Sequence, residues 1–248
     1  MDCKNFTLKQ GDSTPVYSAF SVIDGGGFVP IRFGEVYAIV ADPLNVSSVE
    51  SVRKYKGRPE NQPFAVLLDM ETFSTLIDWK SLSQNGNEEA LLKLLKDPAD
   101  LNTVFGNKAF IRATIDRDPG VPDCVLGSDE TLQAFTFYGN AAAFDFEKTL
   151  RDELKKRHSG LGLILITSYN KHGSDSIRSF DEAEKETQAN GFPMLIHADV
   201  GGEGQGSYAI FEVGIKGIRR VRNGTGQDEV EKLLEERGIK LYKYEDLF

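Results

Sequence analysis

The run Leu163-Ile164-Leu165-Ile166 places the tightest limit on what this chain can fold into. It is apolar at every position, too short for a helix of its own, and preceded by Gly160 and Gly162. Such a run reads as a strand covered on both faces, which requires packed layers on each side of a sheet. The flanking segments supply them. Phe146 to His158 carries Leu150 and Leu154 four apart among charges, as an amphipathic helix does. Ser179 and Glu182 form a capping box that opens another helix, ending near Gly191, and Met194 to Ala198 reads as the next strand. Strand and helix signals alternate in this way along the chain, so an α/β sheet with helices packed on it is expected, with no linker or repeat that forces a second domain.

Upstream, Gly25-Gly26-Gly27 interrupts the chain before Phe28 to Val40, read as a strand, a loop and a short apolar segment. Ser47-Ser48-Val49-Glu50 has the form of a capping box and predicts a helix start. Val49 and Val52 share a face with Lys56, and Gly57 suits a left-handed helix end. Pro59 stops continuation, and Pro63 to Leu68 reads as a buried strand. The unit is therefore helix, cationic corner, strand. Asp69 is expected to cap a short helix through Phe73, Leu76 and Ile77, and Asn87 another through Leu91 to Leu95, with Ser81 to Asn87 as the loop between. Ala109 to Ile115, Leu132 to Tyr138, Ser207 to Val213 and Ile218 to Val221 read as strands, and Gln227 to Arg237 as a helix. Phe135, Phe137, Phe144 and Phe146 read as core.

Composition narrows the function. A net charge of −9 argues against non-specific binding to long nucleic acid, whose main driving force is neutralisation of phosphates by lysine and arginine. No apolar run reaches the ~18 to 20 residues that a membrane helix needs, and the N-terminus lacks a signal pattern, so a soluble, cytoplasmic protein is expected. Cys3 and Cys124 are the only cysteines and form no CxxC pair, so neither a disulfide scaffold nor a metal site is expected. The glycine-rich tract Gly201 to Gly206 has no lysine followed by Ser or Thr and is not a P-loop, although it can bring backbone amides close to a ligand.

The chemistry-bearing residues gather at two places. Lys56 and Arg58 emerge at a helix end, where Arg58 offers a planar fork to phosphate or carboxylate and Lys56 a compact point charge. Read locally, the pair is equally a solvated helix end whose cations meet the helix dipole. Thr167-Ser168-Tyr169-Asn170-Lys171-His172-Gly173 follows the apolar strand, at the carboxyl end where open α/β sheets place ligands. Ser168 and Asn170 also suit a plain turn. His172 has the side chain for acid/base work, yet a lone loop histidine also reads as structural.

Taken in order, Gly34-Glu35-Val36-Tyr37-Ala38, Lys56-Gly57-Arg58-Pro59 with Pro63-Phe64, Thr167 to Gly173, Gly201-Gly202 with Ser207, and Arg222-Asn223-Gly224 resemble the YrdC-like family of threonylcarbamoyl-AMP synthases. The resemblance covers roughly Val22 to Gly224. It implies a twisted, open, mixed β-sheet with flanking helices around a basic concave cleft. It also implies a division into an N-terminal leader (1–21), a YrdC-like domain (22–224) with insertions near 81–107 and 116–129, and a C-terminal helical extension (225–248).

The activity implied is the joining of threonine, bicarbonate and ATP, with Mg2+, into threonylcarbamoyl-adenylate and pyrophosphate for tRNA modification. The family's K-x-R maps onto Lys56 and Arg58 as catalytic cations. Its S-x-N maps onto Ser168 and Asn170, which with Thr167, Ser207 and Arg222 would hold the nucleotide. Arg32, Glu35, Tyr37 and His172 fall where the amino-acid substrate would sit. The departures are specific. Arg32-Phe33-Gly34-Glu35 stands where the family has P-T-D-T, Tyr169 replaces a small residue, His172 a serine, and Tyr208 a threonine. These changes are expected to narrow or reshape the cleft. They keep open a relative that uses carbamoyl phosphate or another acceptor, and a non-catalytic nucleotide or double-stranded RNA binder.

Overall fold

The computed structural model describes residues 3–33, 36–84, 89–117, 120–127, 130–137, 142–158, 160–171, 173–198, 207–214 and 217–242. They divide into two compact units, one holding Met1–Leu67, Pro122–Val125 and Gly139–Ser207, the other Leu68–Val121, Leu126–Tyr138 and Tyr208–Phe248.

The first unit contains β1 (Lys4–Thr7), α1 (Thr14–Asp24), β2 (Val29–Phe33), β3 (Val36–Ala41), α2 (Val46–Lys56) and β4 (Ala65–Leu67). Its remaining elements are α7 (Ala142–His158), β7 (Ile164–Ser168), α8 (Phe180–Ala189) and β8 (Met194–His197). Its strands run in the order β1-β8-β2-β3-β7-β4. β1 and β2 pair with β8 in parallel, whereas β2–β3, β3–β7 and β4–β7 are antiparallel. Ile164, Leu165 and Ile166 are buried between β3 and β4, as the unbroken apolar run requires. The expected leader thus supplies β1 and most of α1.

The second unit contains α3 (Met70–Leu76), α4 (Trp79–Gln84), α5 (Glu89–Lys96), α6 (Pro98–Phe105), β5 (Ala109–Thr114), β6 (Thr131–Phe135), β9 (Ala209–Gly214), β10 (Gly217–Arg222) and α9 (Gln227–Glu236). Its strands run β6-β5-β9-β10, with β5–β9 parallel and the other pairs antiparallel. In each unit the strands pair in mixed fashion and are accompanied by helices, the α/β architecture expected. Phe105, Phe135 and Phe211 are fully buried, and Phe105 meets Phe211 edge to face at 6.0 Å between ring centroids.

Two local expectations are corrected. The α2 N-cap is Asn45, whose side chain accepts from the Ser47 and Ser48 amides; the Ser48 hydroxyl instead donates to the carbonyls of Ile23 and Gly27. An Asx cap just upstream satisfies the amides at the start of the helix in place of the serine box. Ser81 to Gln84 is helical, because the Asp78 carboxylate accepts from the Ser81 amide and starts α4. Asp69 caps α3 through the Thr72 amide and Ser179 caps α8 through the Glu182 amide, as expected. Asn87 and Tyr138 lie outside the described residues.

Candidate functional site in the first unit

α2 carries its apolar face into the first unit on Val49, Val52 and Tyr55, and this face takes Lys56 inward with it: only 4% of Lys56 is exposed. Gly57 ends the helix at φ 66°, in the left-handed region, with open space around the position of a Cβ. The turn this makes releases Arg58 sideways. β7 meets the corner with its carboxyl end.

The Lys56 ammonium donates to the Ser168 carbonyl at 2.6 Å, to the Ser168 hydroxyl at 3.3 Å and to the Asn170 side-chain oxygen at 3.2 Å. Every acceptor is neutral. Among the described residues no carboxylate pairs with Lys56, Arg58 or Arg53. Burial, followed by the neighbouring Arg58 charge, pushes the Lys56 pKa down to about 8. Burial and then Arg53 push Arg58 down to about 10. A buried cation without a counter-ion is costly, and an anion placed beside the buried Lys56 and the half-buried Arg58 would offset that cost.

Arg58 donates to the Pro63 carbonyl and, at 3.4 Å, to the Thr167 hydroxyl, and its guanidinium lies 4.6 Å from the Phe64 ring centre. Its Nε is buried with no acceptor, leaving one N–H free for a ligand oxygen. Asn170, by contrast, is saturated. Its amide nitrogen donates to the carbonyls of Lys171 and Ser174 at 3.0 and 2.5 Å, while its oxygen receives Lys56. It shapes the loop after β7 and aims the lysine. The Ser168 hydroxyl accepts from Lys56 and keeps its own proton to offer.

The expected substrate residues lie on neighbouring strands of the same sheet. Arg32 on β2 stands directly opposite Tyr37 on β3. Tyr37 is fully buried, its hydroxyl 2.8 Å from His197 Nδ1 at the end of β8, and burial pushes its pKa up to about 12. Glu35 and His172 lie outside the described residues. Ser207 closes the Gly139–Ser207 segment of the first unit, and Arg222 belongs to the second unit, where it donates to the Tyr208 carbonyl at 2.7 Å.

The expectation that Tyr169 narrows the site is corrected. Its ring turns into the core, 5.4 Å from the Tyr55 ring centre and 6.3 Å from that of Phe192, with its hydroxyl 3.1 Å from that of Thr187. Alternation along the strand end sends this side chain away from Ser168 and Asn170. Tyr208 likewise packs within its own unit, 4.8 Å from Phe135. Two participants do not stand out in the sequence. His197 carries no motif, whereas Arg53 has a usable signal, since it lies three residues before Lys56 and shares its side of the helix.

Residues 21–130 match the model of the Sua5/YciO/YrdC family, described as telomere recombination. A search of the curated proteins finds no match. Among solved structures, P. abyssi Sua5 complexed with L-threonine superposes with a TM-score of 0.65 at 17% identity, covering 98% of this chain and 63% of Sua5. The chain thus spans less than two thirds of that protein's length. E. coli YciO superposes with a TM-score of 0.63 at 15% identity, covering 92% of this chain and 98% of YciO. Full-length HypF in its phosphate- and nucleotide-bound form gives 0.55 at 13% identity, covering 85% of this chain and 29% of HypF. Residues 21–130 thus carry the sequence pattern of the Sua5/YciO/YrdC family, and the chain shares its fold with Sua5 and YciO.

Proposed function

We propose that the protein is an ATP-dependent enzyme that forms a carbamoyl-type adenylate, with threonine and bicarbonate as the default substrates and tRNA modification as the use of the product. The observation that carries this reading is the pair of the buried Lys56 and the half-buried Arg58, held only by neutral oxygens and an aromatic ring. In the reaction the amino group of the acceptor condenses with bicarbonate, releasing water, to give a carbamate, whose oxygen attacks the α-phosphorus of ATP. The bond to the β-phosphate oxygen breaks and pyrophosphate leaves. Two anions must meet, and fixed cations in a desolvated corner bring them together and stabilise the charge that moves to the leaving group. Mg2+ would enter with the nucleotide as the counter-ion of its phosphates. Sua5, with L-threonine bound, and HypF, with phosphate and nucleotide bound, support the substrate classes.

A second reading keeps the adenylation and changes the acceptor. Arg32 stands in the segment where the family carries P-T-D-T, so a cation takes the place of hydroxyl groups. Incubation with ATP, bicarbonate and single amino acids, or with carbamoyl phosphate, with pyrophosphate measured, separates the two. Pyrophosphate release with threonine supports the first reading; release only with carbamoyl phosphate overturns it. A non-catalytic double-stranded RNA binder is disfavoured by the net charge of −9 and would reveal itself by salt-sensitive RNA binding without adenylate formation. No helix among the described residues is long and apolar enough to cross a membrane.

A further inference from the structure

We propose that Arg53 is a positioning residue that fixes where the Arg58 guanidinium points. The proposal rests on the reading of Lys56 and Arg58 as the anion-binding pair, and it concerns a residue outside that pair.

Arg53 lies in the last turn of α2, and its backbone carbonyl accepts from the amides of both Gly57 and Arg58, closing the left-handed turn. Its side chain then reaches along the following loop. One terminal nitrogen donates to the Pro59 carbonyl at 2.5 Å and to the Gln62 carbonyl at 3.3 Å. The loop from Gly57 to Pro63 is thereby gripped at two of its carbonyls by the helix that precedes it. At the far end of that loop, the Pro63 carbonyl receives Arg58. Phe64 completes the arrangement, with the Arg53 guanidinium 4.9 Å and the Arg58 guanidinium 4.6 Å from the same ring centre. The ring's electron-rich face offsets part of the repulsion between two cations that share it.

The grip matters because Arg58 is otherwise loosely held. Its contact with Thr167 is long, and its Nε has no acceptor. The carbonyl of Pro63 and the face of Phe64 are what orient it, and Arg53 is bonded to the segment that carries both. The two N–H groups of that one Arg53 nitrogen diverge within the fixed guanidinium plane, one toward each carbonyl, whereas an ammonium on a flexible stem has no such fixed orientation. The effect of Arg53 on an anion therefore passes through Arg58.

A double-mutant cycle tests this. MgATP affinity is measured by calorimetry for the wild type, Arg53→Met, Arg58→Ala and the double variant. Arg53→Met should weaken binding about fivefold in the wild-type background and by less than about twofold once Arg58 is gone. Arg53→Lys should resemble Arg53→Met. Equal losses in both backgrounds, no loss at all, or full retention by Arg53→Lys overturns the proposal. A ligand-free arm keeps it separate from the nucleotide reading. In protein with 15N-labelled arginine, the Arg58 Nε–H signal, assigned by its disappearance in Arg58→Ala, should shift and broaden in Arg53→Met while thermal unfolding shows the variant folded. An unchanged signal overturns the proposal even if ATP binds. A shifted signal in a protein that binds no MgATP sustains the positioning role and removes the nucleotide reading instead.

Discussion

The ammonium of Lys56 lies 2.6 Å from the backbone carbonyl of Ser168, across a sequence separation of 112 residues. The contact joins a helix end to a strand end, and its consequence is electrostatic. With the Ser168 hydroxyl and Asn170 as its remaining partners, the lysine is fixed in place without being neutralised. Its charge stays available to an incoming anion, while its N–H groups are already committed. Arg58, with an unused Nε, is the more available of the two for direct contact.

Arg58→Ala should therefore weaken MgATP binding by about 1.5 kcal/mol or more, the scale of a charge-assisted hydrogen bond, and leave the fold intact. Calorimetric titration alongside circular dichroism checks it. Unchanged affinity in a folded variant would remove Arg58 from the site.

The lowered lysine pKa predicts a pH dependence. The Lys56 pKa is about 8 in the folded chain against an ordinary lysine value of 10.5. Between those values the unfolded chain binds more protons, so this group makes stability rise with pH across that window, and its burial cost is fully present below pH 8. Anion binding runs the other way, because a polyanion favours the protonated lysine. MgATP affinity should fall by about an order of magnitude from pH 7 to 9.5, with proton uptake visible in the buffer dependence of the binding heat near pH 8. Lys56→Met should flatten the profile. A wild-type profile already flat would show that Lys56 is not sensed by the ligand.

Tyr169 should behave as a core residue. Tyr169→Ala should cost about 3 to 5 kcal/mol through the cavity left beside Tyr55 and Phe192. Tyr169→Phe should cost only about 1 kcal/mol, since it deletes one hydrogen bond and Thr187 retains its bond to the Ala183 carbonyl. Urea denaturation measures both. A stable Tyr169→Ala variant with a changed acceptor preference would instead put the ring in the substrate site.

Gly57 is needed for its backbone and not for space. At φ 66°, with nothing within 4 Å of where a Cβ would stand, Gly57→Ala should cost about 1 kcal/mol from left-handed strain alone. MgATP affinity should change little. A large loss of affinity would mean that the turn rearranges and carries Arg58 with it.

Much of the fold is legible in local patterns, and the exceptions have physical reasons. The caps by Asp69 and Ser179, the left-handed stop at Gly57 and the buried strand through Ile166 depend on residues a few positions apart, within reach of the rules that govern backbone amides and apolar periodicity. The start of α2 escapes those rules because Asn45 and Ser47 are both competent caps, and Asn45 takes the cap position, with Ser48 turned to hold the carbonyls of Ile23 and Gly27. At the site, the K-x-R corner and the polar end of β7 stand out by residue type. The saturation of Asn170, the part played by His197 and the grip of Arg53 on the loop do not.

Taken by itself, the amino-acid sequence determined the α/β class, the helix that ends in two cations, and the apolar strand that ends in hydroxyl and amide groups. Local propensity and periodicity act over one or two turns of chain, and that range suffices for each of these. Only the tertiary structure decided that those two ends meet, that Tyr169 faces the core, and that Lys56 is buried among neutral oxygens. These outcomes follow from strand order and register in the first unit, where Ala38 pairs with Ser168 and Leu67 with Ile164, and no local preference specifies them.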